Sequence, residues 1–140
     1  MWKLLAFGLA LSVITMTAFI WTGTPTIKHY TAAELMPLTC AALGERHEEV
    51  ITAYHDAEIA HFRKTGAFHD DLGIPSEDVI PYSIVIKQFL REHNIVDAAM
   101  SPILNSDFYA AVSGICASNP SWQATDAMRQ VAISMELIDG

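Results

Sequence analysis

The sequence lacks most of what common chemistries need. It has no G-x-S-x-G, no glycine-rich phosphate loop and no second half to any acid–base pair, so nothing marks a nucleophile or a nucleotide site. The H-E-x-x-H zinc signature is missing as well, because His47-Glu48 is followed at the decisive distance by Ile51. No enzyme is expected, no catalytic residue is assigned and no cofactor is implied. Basic residues are few: eight Lys and Arg against sixteen Asp and Glu give a net charge of −8. Apart from Arg63-Lys64 they stand singly. Nucleic acid and anionic lipid surfaces both demand clustered cations, so neither is an expected partner. No stretch alternates as a half-buried strand does, no hairpin turn signal occurs, and there is no internal repeat.

Cysteine is scarce too, with only Cys40 and Cys116. What they mean depends on the N-terminus. Met1-Trp2-Lys3 precedes a charge-free apolar run from Leu4 to Trp21, eighteen residues, which is just enough to span a bilayer. Trp2 and Trp21 stand at its ends, where an aromatic belt would place them. Met16-Thr17-Ala18 and Thr22-Gly23-Thr24 are both poor cleavage sites. A cleaved export signal and a retained membrane anchor, residues 1–21, both fit; the plain alternative is a buried helix. The first two place the rest of the chain outside the cytoplasm, either soluble in the periplasm or anchored in the inner membrane. In an exported small domain an even number of cysteines reads as a disulfide. With two cysteines there is one intramolecular pairing, and its long loop is worth about 4 kcal/mol in the chain-entropy picture. The alternative is two buried thiols.

The 140 residues suffice for one domain. Residues 1–24 form the signal or anchor, 25–30 a polar linker, and 31–140 an all-α domain, a small bundle of four to five helices. Thr31-Ala-Ala-Glu34 is a capping box. A long amphipathic helix is expected over Thr39–Phe62. Met36, Cys40, Leu43, His47, Val50, Tyr54, Ala57 and His61 recur at spacings of four and three, a seam that packs on other helices. Glu45, Glu48, Glu49, Asp56 and Glu58 fall mainly off that seam. Gly44 is unexplained unless close packing near Cys40 requires it. Thr65-Gly66 stops the helix.

Ala67–Pro75 reads as a loop carrying Asp70-Asp71 and Gly73. Ser76 caps an acidic turn, with Pro81 as an alternative helix start, and Pro81–His93 suits a buried helix with Ile84, Val85, Phe89 and Leu90 inside. Asn94 is its C-cap. A short turn is expected over Ile95–Met100. Ser106-Asp107 is read as the cap of a helix Phe108–Ala117, with Tyr109, Val112 and Cys116 on one face. Ser121 is read as the cap of a last helix, from Trp122 to about Leu137, with Trp122, Thr125, Met128, Ala132 and Met135 inside.

Four of the six histidines lie on or beside the long helix: His47, His55, His61 and His69. Glu58-x-x-His61 has the spacing of di-iron bundles, but no second such pair occurs, and His55 and His61 diverge by about a third of a turn. No metal site is assigned. His47 and His61 both fall on the apolar seam. The plain reading is a core histidine satisfied by hydrogen bonds. The functional reading is a pH switch, since a buried imidazole stays neutral at pH 7 and must charge in acid.

The cysteine neighbourhoods, Leu38-Thr39-Cys40 and Ile115-Cys116-Ala117-Ser118-Asn119-Pro120, followed by an amphipathic helix, resemble the HdeA/HdeB-type periplasmic acid-stress proteins. The likeness spans roughly Met36 to Met135. It implies a small helical fold with one disulfide between these cysteines. It further implies a protein that is folded and often dimeric at neutral pH, and that in acid loosens and binds unfolding client proteins. The stretch 67–81 looks like an insertion relative to that pattern. A second expectation comes from the possible anchor: a membrane-tethered accessory or immunity-type protein that binds one specific protein partner. The seam packs within one chain or across a homodimer, and periodicity does not separate the two.

Overall fold

The computed structural model describes residues 27–68, 75–95 and 102–140. Among these residues the fold is all-α, with five helices and no strand. The N-terminal signal or anchor, His69, the acidic loop pair Asp70-Asp71 and most of the turn read over 95–100 lie outside the described residues.

Helix α1, Ala32–Leu35, is a single turn closed by the expected capping box. The Thr31 amide donates to Glu34 Oε2 at 2.8 Å, and the Glu34 amide donates back to Thr31 Oγ1 at 3.4 Å. Pro37 lies in the break that follows. Helix α2, Cys40–Thr65, is 26 residues long, about 39 Å. Thr39 caps its start, and Gly66 ends it at φ 74, a left-handed conformation that glycine adopts without penalty. Gly44 is not a close-packing site: a Cβ there would meet only the Tyr82 hydroxyl, at 4.0 Å.

Helix α3, Pro81–Glu92, begins at Pro81, whose missing N–H costs nothing at the first helical position. Ser76 instead closes the turn before it, accepting from the Val79 amide at its carbonyl. The end of α3 is a Schellman closure. Asn94 is left-handed at φ 57, its amide donates to the Arg91 carbonyl, and the Ile95 amide donates to that of Leu90. Ile95 then packs against the core.

Helix α4, Pro102–Ser118, starts a full turn and a half before the expected start at Phe108. Pro102 serves as a helix start rather than a stop, so Ser106 and Asp107 are exposed residues inside the helix, not caps. Helix α5, Ala124–Ser134, starts later than expected: the N-cap position is Gln123, not Ser121. The buried face therefore shifts to Ala124, Ala127, Met128, Val131 and Ala132, and Trp122 is exposed rather than inside. A second Schellman closure ends α5 at Glu136, with Leu137 packed against the core.

The core lies between the N-terminal half of α2 and helices α3, α4 and α5. Leu43, Val85, Leu90, Val112 and Val131 are removed from solvent, and Phe89 stacks near Phe108 at 6.3 Å between ring centres. Leu35 joins this cluster from α1. Past Val50 the inward line of α2 drifts off the strict seam and buries Glu58. A straight helix turns every 3.6 residues, so a heptad line rotates away from its partner over a helix this long.

Candidate functional site

Two neighbourhoods concentrate the polar and covalent contacts that a function would use. The first is the start of α2. Cys40 and Cys116 form a disulfide with their Cα atoms 4.9 Å apart, and both are buried. A helix start leaves its first amides without intrahelical partners, and here the loop between α4 and α5 supplies them. The Cys40 amide donates to the Trp122 carbonyl at 2.8 Å, and the Ala41 amide to that of Pro120 at 2.9 Å. The Ala42 amide donates to Thr39 Oγ1. In return the Ala124 amide, first in α5, donates to the Leu38 carbonyl at 3.0 Å. The disulfide and these exchanges tie α2, α4 and α5 at one end. Past the end of α4, the Asn119 carbonyl accepts from the Trp122 amide, a turn that leaves the Pro120 and Trp122 carbonyls to α2.

The second neighbourhood is His47, about two turns further along α2, between the buried Leu43 and Val50. Its ring forms a three-ring cluster with Tyr82 of α3 and Tyr109 of α4. The His47 and Tyr82 rings meet edge to face at 5.1 Å, and the two tyrosines meet likewise at 5.7 Å. Tyr109 Oη lies 3.3 Å from His47 Nε2, within hydrogen-bond range. Nδ1 is buried and has no hydrogen-bond partner. Burial lowers the pKa of His47 below its ordinary value of 6.5, and the nearby Glu48 charge opposes that shift only in part. Burial likewise raises Tyr82 and Tyr109.

His61, the other seam histidine, is half-buried near the far end of α2, fourteen residues beyond His47. His55 is exposed and Glu58 buried. Among the described residues no group of three His, Cys, Asp or Glu side chains could hold a metal ion.

The seam placed His47 inward and the cysteine count pointed to the pair, but the partners of His47 were only half visible. Tyr109 stood on an expected inner face; Tyr82 was not singled out, although it precedes the buried Val85 and Ile86 by three and four residues. Also missed were carboxylate contacts around the margin. The Tyr30 hydroxyl donates to Glu49 Oε2 at 2.6 Å. Lys87 pairs with Glu77 at 3.1 Å and Asp78 at 3.2 Å, tying the turn before α3 to its body. Burial pulls the Lys87 pKa down, but its bonds to Glu77 and Asp78 outweigh that and hold the ammonium above its ordinary value.

Among the described residues, no helix is long and apolar enough to cross a membrane. A disulfide is compatible with an extracytoplasmic location. Large apolar side chains reach solvent at Trp122, 42 % exposed, and at the stacked pair Phe62 and Phe68. No family of known proteins, no curated protein and no solved structure matches the chain.

Proposed function

We propose that the chain is an exported helical protein, periplasmic and soluble or tethered at the inner membrane, that is packed near neutral pH and loosens in acid. In the loosened form it binds unfolding proteins through helix faces that were turned inward. This is the activity that the resemblance to HdeA/HdeB-type proteins implies. The observation that supports it is a division in what holds the molecule. The disulfide and the backbone exchanges around Cys40 contain no group that titrates in acid. The contacts of Thr31, Tyr30 and Lys87 run through Glu34, Glu49, Glu77 and Asp78. Acid removes the second set and leaves the first. Each exposed pair is worth little alone, so the chain loosens without losing its cross-link. Apolar surface exposed in that state is what a loosened compact chain offers to clients.

The test is aggregation of a mixture of exported proteins at about pH 3, below the carboxylate range, with and without the full-length chain. Suppression in acid and none at neutral pH is the expected result. Equal aggregation with and without the chain sinks the proposal.

The tethered, partner-binding reading has its own support. Trp122 lines a shallow groove on the outer side of α5 with Asp126, Arg129, Gln130 and Ile133, and exposed Trp and Arg are the residues that most often anchor protein interfaces. Under this reading the mature chain keeps residues 1–21, which intact mass measurement decides, and Trp122→Ala abolishes crosslinking to a single neutral-pH partner.

A further inference from the structure

We propose that His47 is a proton gate at the junction of α2, α3 and α4: its ring packs the junction while singly protonated and splits it on taking a second proton. The proposal deepens the acid-response reading and rests on it for its use, although the gate itself is a statement about folding alone.

The geometry supplies the mechanism. A neutral imidazole carries one N–H and one bare nitrogen, and whichever way they are arranged it can satisfy Nε2 against the Tyr109 hydroxyl. The other nitrogen, Nδ1, is buried with no hydrogen-bond partner. A second proton makes both nitrogens donors and places a positive charge on the ring. Nδ1–H then needs an acceptor that the junction does not provide, and a buried unsatisfied charged donor is costly. The ring regains water by swinging out. Swinging out breaks its edge contact with Tyr82 of α3 and its bond to Tyr109 of α4. Opening at His47 therefore loosens both helices from α2.

The titratable groups that face the ring are few. Tyr82 comes from α3 and Tyr109 from α4, and both stay neutral throughout the acid range. From α2 itself comes Glu48, whose charge favours the imidazolium and so softens the gate without reversing it. The sign of the linkage follows. The unfolded chain takes up the proton as pH falls through 6.5, the folded chain only at a lower pH. Stability is thus fully present above that ordinary value and is lost as pH falls through the window down to the lowered one. Within the window one extra proton is bound on unfolding, so the unfolding constant rises by up to about tenfold per pH unit. The window opens at 6.5, above the range in which most carboxylates titrate. His61 lies fourteen residues further along α2 and is no part of the gate.

The experiment is urea unfolding of the full-length chain at several values between about pH 7.5 and about pH 5, for the unaltered protein, His47→Phe and His61→Phe. The expected result is that His47→Phe flattens the dependence by one proton and His61→Phe does not. A His47→Phe protein that keeps the full dependence overturns the gate, as does a His61→Phe protein that loses it. Should His47→Phe not fold, the ring resonances of His47 in the unaltered protein decide: titration below the other histidines supports the gate, and titration with or above them overturns it. Suppression of aggregation at about pH 3 is read separately on the same proteins. An intact gate without suppression ends the chaperone reading, and suppression with an unaltered His47→Phe profile ends the gate.

Discussion

At the start of α2, a disulfide and three backbone hydrogen bonds hold the beginning of that helix to the end of α4 and the beginning of α5. Just before that helix, where Tyr30 and α1 lie against the body, the polar contacts run through the carboxylates of Glu34 and Glu49. Both regions answer the same need, since each satisfies groups that a helix terminus or an arm would otherwise leave to water. They differ in what they answer it with. Amide, carbonyl and disulfide groups keep their character across the whole pH range of life, whereas a carboxylate in acid loses its charge and turns one oxygen into a donor. The molecule is therefore held by pH-blind ties and pH-sensitive ones side by side.

The harshest way to break that contrast is to remove the cross-link. Cys40→Ser with Cys116→Ser opens a loop of 76 residues, and the unfolding free energy should fall by about 4 kcal/mol. Urea denaturation at neutral pH reads this directly. The same variant should lose all compactness in acid, visible as a larger hydrodynamic radius than the parent shows there. The next effect comes from the margin. Leu35 is the buried anchor of α1, and Leu35→Ala should cost about 3 kcal/mol by emptying its place in the core. Hydrogen exchange should then show α1 opening while the amides of Cys40, Ala41 and Ala124 remain protected. Loss of protection at both places together would mean that the two regions are one cooperative unit. The smallest effect sharpens the comparison. Hydrogen bonds from the Thr31 backbone, and then from its side chain, lower the Glu34 pKa below the ordinary 4.5. That contribution is present above the ordinary value and lost as pH falls through the lowered one. Glu34→Gln keeps an acceptor but no charge, so protection of the Thr31 amide should become independent of pH in this range.

Much of this arrangement was legible in the residues, and the reasons differ from place to place. Thr31 with Glu34, and Thr65 with Gly66, are local devices whose partners lie within four positions, so spacing alone revealed them. The cysteine pairing needed only a count. The start of α4 was misplaced because Ser-Pro both stops one helix and starts another, and nothing local decides which. Ser121 has the chemistry of a cap, but the Trp122 and Pro120 carbonyls are engaged by the start of α2, which delays α5 to Ala124. That constraint comes from a segment some 80 positions earlier and leaves no mark near Ser121. The seam carried His47 inward correctly and then drifted, which hid the burial of Glu58. Tyr82 completes the cluster only because α3 crosses α2 at that height, which periodicity does not contain.

The cross-link also has a history in time. Cys116 is joined to a residue 76 positions before it, so α2 is made and exposed long before the carbonyls that meet its first amides exist. Contacts at such separation form late, because the chain between them must be ordered or looped out first. Wherever the bond forms, the newly made protein passes through an interval in which its longest helix is open at one end and its core faces are unshielded.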